Sequence, residues 1–151
     1  MKRIGIIIAA ICFSLKINAQ EIQWINFDQL SELQQTDNRP LLIFIHTKWC
    51  RYCKMQKEIS FKNLQLIEFL NRNYYCIELD AESKSSIKLL NKNYLYNPLQ
   101  GYHQLALTLT KDSNQIIFPT LLVLDKSYKI KSVLQSYQEP QSLIEHLKIL
   151  N

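Results

Sequence analysis

The chain has 151 residues, room for one domain with a real hydrophobic core and too little for two. Hydrophobic residues make up 47% and charged residues 21%, an ordinary globular composition, and the two glycines, Gly5 and Gly101, stand too far apart to build a glycine-rich phosphate loop. The formal charge is +5, but Lys2, Arg3 and Lys16 fall before residue 20 and no acidic residue does, so the remainder carries about +2, which argues against a nucleic-acid surface or a strongly basic membrane patch.

Residues 1–19 read as a secretory signal peptide. Lys2 and Arg3 give the positive start, and Ile4 to Leu15 form an apolar stretch of 12 residues. A spanning helix needs about 20. Ile17-Asn18-Ala19 places a small residue before a cut between Ala19 and Gln20. Cys12 lies inside the apolar run behind the bulky Ile11, a poor lipoprotein cysteine. The expected organisation is a leader over 1–19 and one domain over 20–151. The expected location is periplasmic or secreted, where thiol pairs meet oxidising conditions.

Residues 21–27 carry Ile22 and Trp24 near alternate spacing and predict a short strand. Asp28 is an N-cap for a helix over 29–36, and Asp37-Asn38-Arg39-Pro40 stops it. Leu41-Leu42-Ile43-Phe44-Ile45 is apolar without alternation, the mark of a strand buried on both faces. A helix from Arg51 presents Met55 and Ile59; its pattern breaks at 60–63, and Asn63 caps a second segment with Leu64, Ile67 and Leu70. Residues 74–79 read as another buried strand. The runs 87–90 and 94–97, on either side of Asn91-Lys92-Asn93, predict a β-hairpin, with a helix over 86–93 as the competitor. A short helix over 103–110, strands over 120–125 and 129–134, and a last helix opened by Glu139-Pro140 complete the chain. The alternation of elements predicts an α/β fold, a central mixed sheet with helices on both faces.

Chemistry concentrates in Trp49-Cys50-Arg51-Tyr52-Cys53-Lys54, where two cysteines sit between a buried strand and a helix. That context favours redox chemistry. A thiol at a helix N-terminus feels the positive end of the macrodipole and ionises more easily. Arg51, Lys48 and Lys54 push the same way. A passive structural disulfide stays open. Half of a zinc site is disfavoured, because zinc needs four ligands and the chain has no second Cys-x-x-Cys or His pair. Cys76 on its strand reads as core. His46 could tune Cys50 but reads more simply as a histidine without a role. His103 and His146 carry no functional reading. Tyr94, Tyr96 and Tyr102 read as hairpin core, with a partner-binding rim as the other option.

With Trp49–Lys54, Phe118-Pro119-Thr120 and the element order in hand, the chain resembles the thioredoxin superfamily over nearly all of residues 20–151. The resemblance implies an exposed attacking thiol at Cys50, a resolving thiol at Cys53, and a cis proline at Pro119. It also implies a client-binding rim of Trp49, Arg51, Tyr52, Phe118 and Pro119. A hairpin and the stretch Tyr102-His103-Gln104-Leu105-Ala106 before that proline resemble exported thioredoxin-like proteins of Bacteroidota-type bacteria. The implied function is an exported thiol–disulfide oxidoreductase that needs no metal or organic cofactor. It would work as a monomer on exported clients with thiols or disulfides, with a membrane electron donor or acceptor and no nucleic acid. The alternative is a non-catalytic binding or assembly module with a structural disulfide. One departure stands out. Thioredoxins proper bury an aspartate six positions before the first cysteine and a lysine near it on the next strand. Here the first position is Phe44, and Cys76 is expected at the second.

Overall fold

The computed structural model describes residues 20–110 and 115–150; the leader at 1–19 lies outside them. In chain order the elements begin with β1 (Trp24–Ile25), α1 (Phe27–Thr36), β2 (Leu41–His46), α2 (Arg51–Glu58), a 3-10 turn (Ser60–Lys62), α3 (Leu64–Asn73) and β3 (Tyr75–Asp80). Two small hairpins follow, β4 (Ile87–Leu89) with β5 (Lys92–Tyr94) and β6 (Tyr96–Asn97) with β7 (Tyr102–His103). The chain ends with α4 (Gln104–Thr110), β8 (Thr120–Leu124), β9 (Ile130–Gln135) and α5 (Pro140–Ile149).

Five strands form the central sheet in the order β1-β3-β2-β8-β9. β1 and β2 run parallel to β3, and β8 runs antiparallel to both β2 and β9. β2 is therefore paired on both edges, and Leu41 through Ile45 are all buried. Strand alternation splits the core. Leu42, Phe44, Cys76, Leu121 and Val123 face the helices α2, α3 and α5, where Cys53, Ile67, Leu70, Leu143 and Leu147 meet them. Leu41, Ile43, Ile45, Ile77 and Leu122 face α1 and α4, meeting Leu30, Leu105 and Leu109. Helices thus cover both faces, as expected.

Local details depart from the sequence reading. Asn26, not Asp28, caps α1: its Oδ1 accepts the Gln29 N–H at 2.8 Å, while Gln29 Oε1 accepts the Asn26 N–H at 3.0 Å. This reciprocal capping box satisfies two helix-start N–H groups at once, which Asp28 could not do. In α2 the buried face is Cys53 and Gln56, not Met55 and Ile59; Ile59 is 54% exposed. Gln56 is tolerated inside because its amide clamps the Gln138 backbone, accepting its N–H at 2.8 Å and donating to its carbonyl at 3.3 Å. Asn63 caps α3 as expected, but Leu66 turns inward while Leu64 is exposed. The first hairpin turns at Leu90-Asn91 rather than at 91–93, and what reads as one strand over 94–97 divides between two hairpins.

The turn supplies a test. Leu90 and Asn91 have φ of 50° and 62°, the two left-handed residues of a type I′ turn. Leu90 is solvent-exposed, so it has little burial to offset the clash of its Cβ. Leu90→Asn is expected to raise stability by about 1 kcal/mol in urea denaturation. A variant no more stable than the parent would contradict that conformation.

Candidate active site

β2 delivers the chain to the site at His46. Thr47 then accepts the Cys50 N–H on its carbonyl at 3.4 Å, bending the backbone so that Cys50 becomes the N-cap of α2. The Cys50 sulfur takes the part a serine oxygen usually plays there, accepting the Cys53 N–H at 3.0 Å. Cys50 and Cys53 are joined by a disulfide. Cys53 is 2% exposed and Cys50 only 6%, so Cys50 is not the exposed cysteine that the resemblance implies. The cap geometry explains the difference: the sulfur folds back over the first helical turn instead of pointing outward. Exposure belongs to its neighbours, Trp49 at 64% and Tyr52 at 58%, with Arg51 also exposed.

Trp49 is held from two directions. Its indole N–H donates to Glu82 at 3.0 Å, and its ring meets Phe118 edge-on, centroids 5.8 Å apart. Phe118 also packs on Tyr102 of the second hairpin, ring centroids 5.6 Å apart. Tyr94, like Tyr102, packs partly on the core, and Tyr96 is partly buried. The Phe118–Pro119 bond is cis, and the buried Pro119 accepts the Ser136 N–H on its carbonyl at 2.9 Å. The structure therefore joins Trp49 to Phe118 and sets Phe118 against the cluster that holds both cysteines. Glu82 is a residue the sequence reading missed, since nothing in its spacing ties it to Trp49.

Beside the cysteines opens a cleft of about 470 Å³, lined by Cys50, Cys53, His46, Thr47, Lys57 and Glu78 together with Ile22, Trp24 and Phe61. Phe44 stands behind it in an aromatic cluster, edge-on to Phe61 at 5.1 Å and 6.2 Å from Trp24. His46 stacks on Phe44 at 4.9 Å. The residue across from Phe44 on β3 is Glu78, not Cys76, which pairs with Leu42. A carboxylate, missed by the sequence reading, thus faces the cleft from the adjoining strand. Glu78 Oε2 lies 3.0 Å from Lys57 Nζ and 3.6 Å from His46 Nε2. Burial alone would push its pKa up, but His46 and Lys57 outweigh burial and hold it below the usual carboxylate value. The signal for Glu78 was an acid inside an apolar strand, but the inter-strand register that brings it to the cleft is not written in a single strand.

Cys76 is fully buried and free, and burial pushes its thiol far up. His103 is a structural staple: Nε2 lies 3.0 Å from the Ser85 carbonyl, and Nδ1 accepts the Leu105 N–H at 3.2 Å. His146 lies 2.7 Å from the Ser132 hydroxyl. Among the described residues, no cluster of His, Cys, Asp and Glu could hold a metal ion, and no helix is long and apolar enough to cross a membrane.

The family model Thioredox_DsbH, described as a protein of unknown function (DUF255), matches residues 7–146. The thiol:disulfide interchange protein DsbD of Campylobacter jejuni (strain RM1221) is 28% identical over 75 residues, 48% of this chain and 13% of that protein. The chain thus spans about an eighth of the length of that curated relative. A solved DsbH oxidoreductase aligns with a TM-score of 0.61 at 16% identity, covering 89% of this chain and 87% of the other. A putative disulphide-isomerase from Bacteroides thetaiotaomicron aligns with a TM-score of 0.60 at 20% identity, covering 87% and 93%. These structural likenesses establish the thioredoxin fold.

A buried, protonated thiol is unreactive. Cys76 is expected to escape iodoacetamide in the native protein and to be labelled after denaturation, read by peptide mass spectrometry. Labelling in the native state would show that β3 opens locally.

Proposed function

The chain belongs to the Thioredox_DsbH family, and we propose that it is an exported thiol–disulfide oxidoreductase acting on protein dithiols and disulfides through Cys50 and Cys53. The observation that carries this reading is the Cys50–Cys53 disulfide at the start of α2, with the Cys53 N–H aimed at the Cys50 sulfur. In the reduced protein that N–H and the helix N-terminus would stabilise a Cys50 thiolate more than a thiol. The thiolate attacks a client disulfide, one client sulfur leaves as a thiolate, and a mixed disulfide forms on Cys50. Cys53 then attacks Cys50, closes the internal disulfide and releases the second client thiol. The reverse sequence oxidises a client dithiol. The exposed Trp49, Arg51 and Tyr52, with the partly buried Phe118 opposite on its cis bond to the buried Pro119, form the surface on which a client segment lies. The names of the DsbD and DsbH relatives support the same chemistry. A membrane electron donor or acceptor that resets the pair completes the proposal.

Cys53→Ala is expected to accumulate clients as mixed disulfides on Cys50, visible as reductant-sensitive bands on non-reducing gels. Cys50→Ala is expected to reduce insulin no faster than the free reductant. Adducts on the Cys50→Ala variant with none on Cys53→Ala would reverse the roles.

Export rests on the leader at 1–19. When the full chain is expressed in a Gram-negative host, the periplasmic fraction is expected to hold a protein beginning at Gln20. An intact N-terminus retained in the cytoplasm would remove this part of the proposal.

A further inference from the structure

The attacking and resolving thiols have unequal problems. Cys50 has an N–H and a helix terminus to stabilise its thiolate. Cys53 is 2% exposed, lies in the first turn of α2, and is buried in one apolar cluster with Phe44. A buried thiol without a proton acceptor resolves a mixed disulfide slowly.

The geometry points to His46 as the proton acceptor for Cys53, with Glu78 as the positioning residue that holds the imidazole. Two observations support the assignment. Strand alternation puts Phe44 and His46 on the same face of β2, and the register sets Glu78 beside Phe44, so all three side chains belong to the face that α2 covers. His46, Glu78 and Cys53 line one cleft, which is open to solvent and wide enough for water to carry a proton across it.

The charged groups facing the cleft from its other walls are Glu21, Lys48, Lys54, Lys57, Glu58 and Lys62. Most are already paired, Lys62 with Glu21 at 2.8 Å, Lys54 with Glu58 at 3.7 Å and Lys57 with Glu78 at 3.0 Å. His46 is the histidine of this lining, and histidine is the side chain that most often serves as a general base.

The step presupposes the oxidoreductase activity proposed above. The Cys53 thiol gives its proton through water to the imidazole nitrogen of His46 that does not face Glu78. The resulting thiolate attacks Cys50 Sγ, the Cys53–Cys50 bond forms, and the bond from Cys50 to the client sulfur breaks with its electron pair going to the client. The client thiolate then takes a proton from the imidazolium, which returns His46 to neutral. The client disulfide is the oxidant throughout, and Cys50 and Cys53 supply the two electrons.

The test is a single turnover of the reduced protein with a fluorescent disulfide-linked peptide, quenched in acid at intervals and analysed by mass spectrometry. His46→Gln is expected to form the mixed disulfide at the parent rate and to resolve it about 100-fold more slowly at neutral pH. The pH dependence of the resolution rate is expected to change in His46→Gln and to be kept in Glu78→Gln, which should resolve at a rate between the two. Added imidazole should restore resolution to His46→Ala, which separates proton transfer from a folding defect. Parent-like resolution in His46→Gln, or equal slowing of formation and resolution without imidazole rescue, would overturn the assignment. If the parent protein forms no mixed disulfide, the oxidoreductase reading itself fails and the assignment falls with it.

Discussion

Everything at the site hangs from β2, a strand with no free side. β3 and β8 bind its edges, and the two halves of the core bury its faces. Each edge adds a ladder of backbone hydrogen bonds, and each face adds apolar side chains with no water to return to. The residues just past its end inherit that rigidity. Thr47 turns the chain, Cys50 caps α2, and the disulfide closes across a single helical turn. A pair of sulfurs held to such a frame can change oxidation state with little movement around it.

The same burial dictates where polarity can go. A charge at Phe44 would sit in the most enclosed part of the sheet and would need a partner there. This chain fills that space with Phe44, Phe61 and Trp24 instead. Its polar groups move to the edge. β1 is two residues long and pairs only with Cys76 and Ile77, so the outer edge of β3 is uncovered from Glu78 onward. Glu78 can therefore stay ionised, half in the cleft and half in water, with Lys57 and His46 as neighbours. The short first strand and the apolar centre are two sides of one arrangement.

How much of this was legible follows from what each signal depends on. The buried strand, the helix after the cysteines, the cap at Asn63 and the last helix behind Pro140 rest on local rules, so the chain displays them directly. The buried face of α2 was hidden because Gln56 is acceptable in the core only when the Gln138 backbone, far away in sequence, comes to meet it. The turn at Leu90 was hidden because leucine is a poor choice for a left-handed residue. Within the site, Cys50, Cys53, Trp49 and Pro119 carry a recognisable pattern. Glu78, Glu82 and the pairing of His46 do not, because each depends on strand register or on the path of the inserted hairpins.

That path ties the segment after β3 and the second hairpin to the rim. Glu82, just past β3, anchors the Trp49 indole, and Tyr102, in the last hairpin strand, backs Phe118. Trp49 is thus fixed at one end by a hydrogen bond and along its ring by an aromatic edge, although most of its surface is in water. An exposed aromatic held in place loses less entropy when a partner lands on it than a free one does. The lining of the charged cleft includes neither Trp49 nor Phe118. The apolar rim and the charged cleft are different surfaces beside the same disulfide. On the proposed function, a client lying across the first would leave the second open to water, so that binding and proton movement need not compete for the same space.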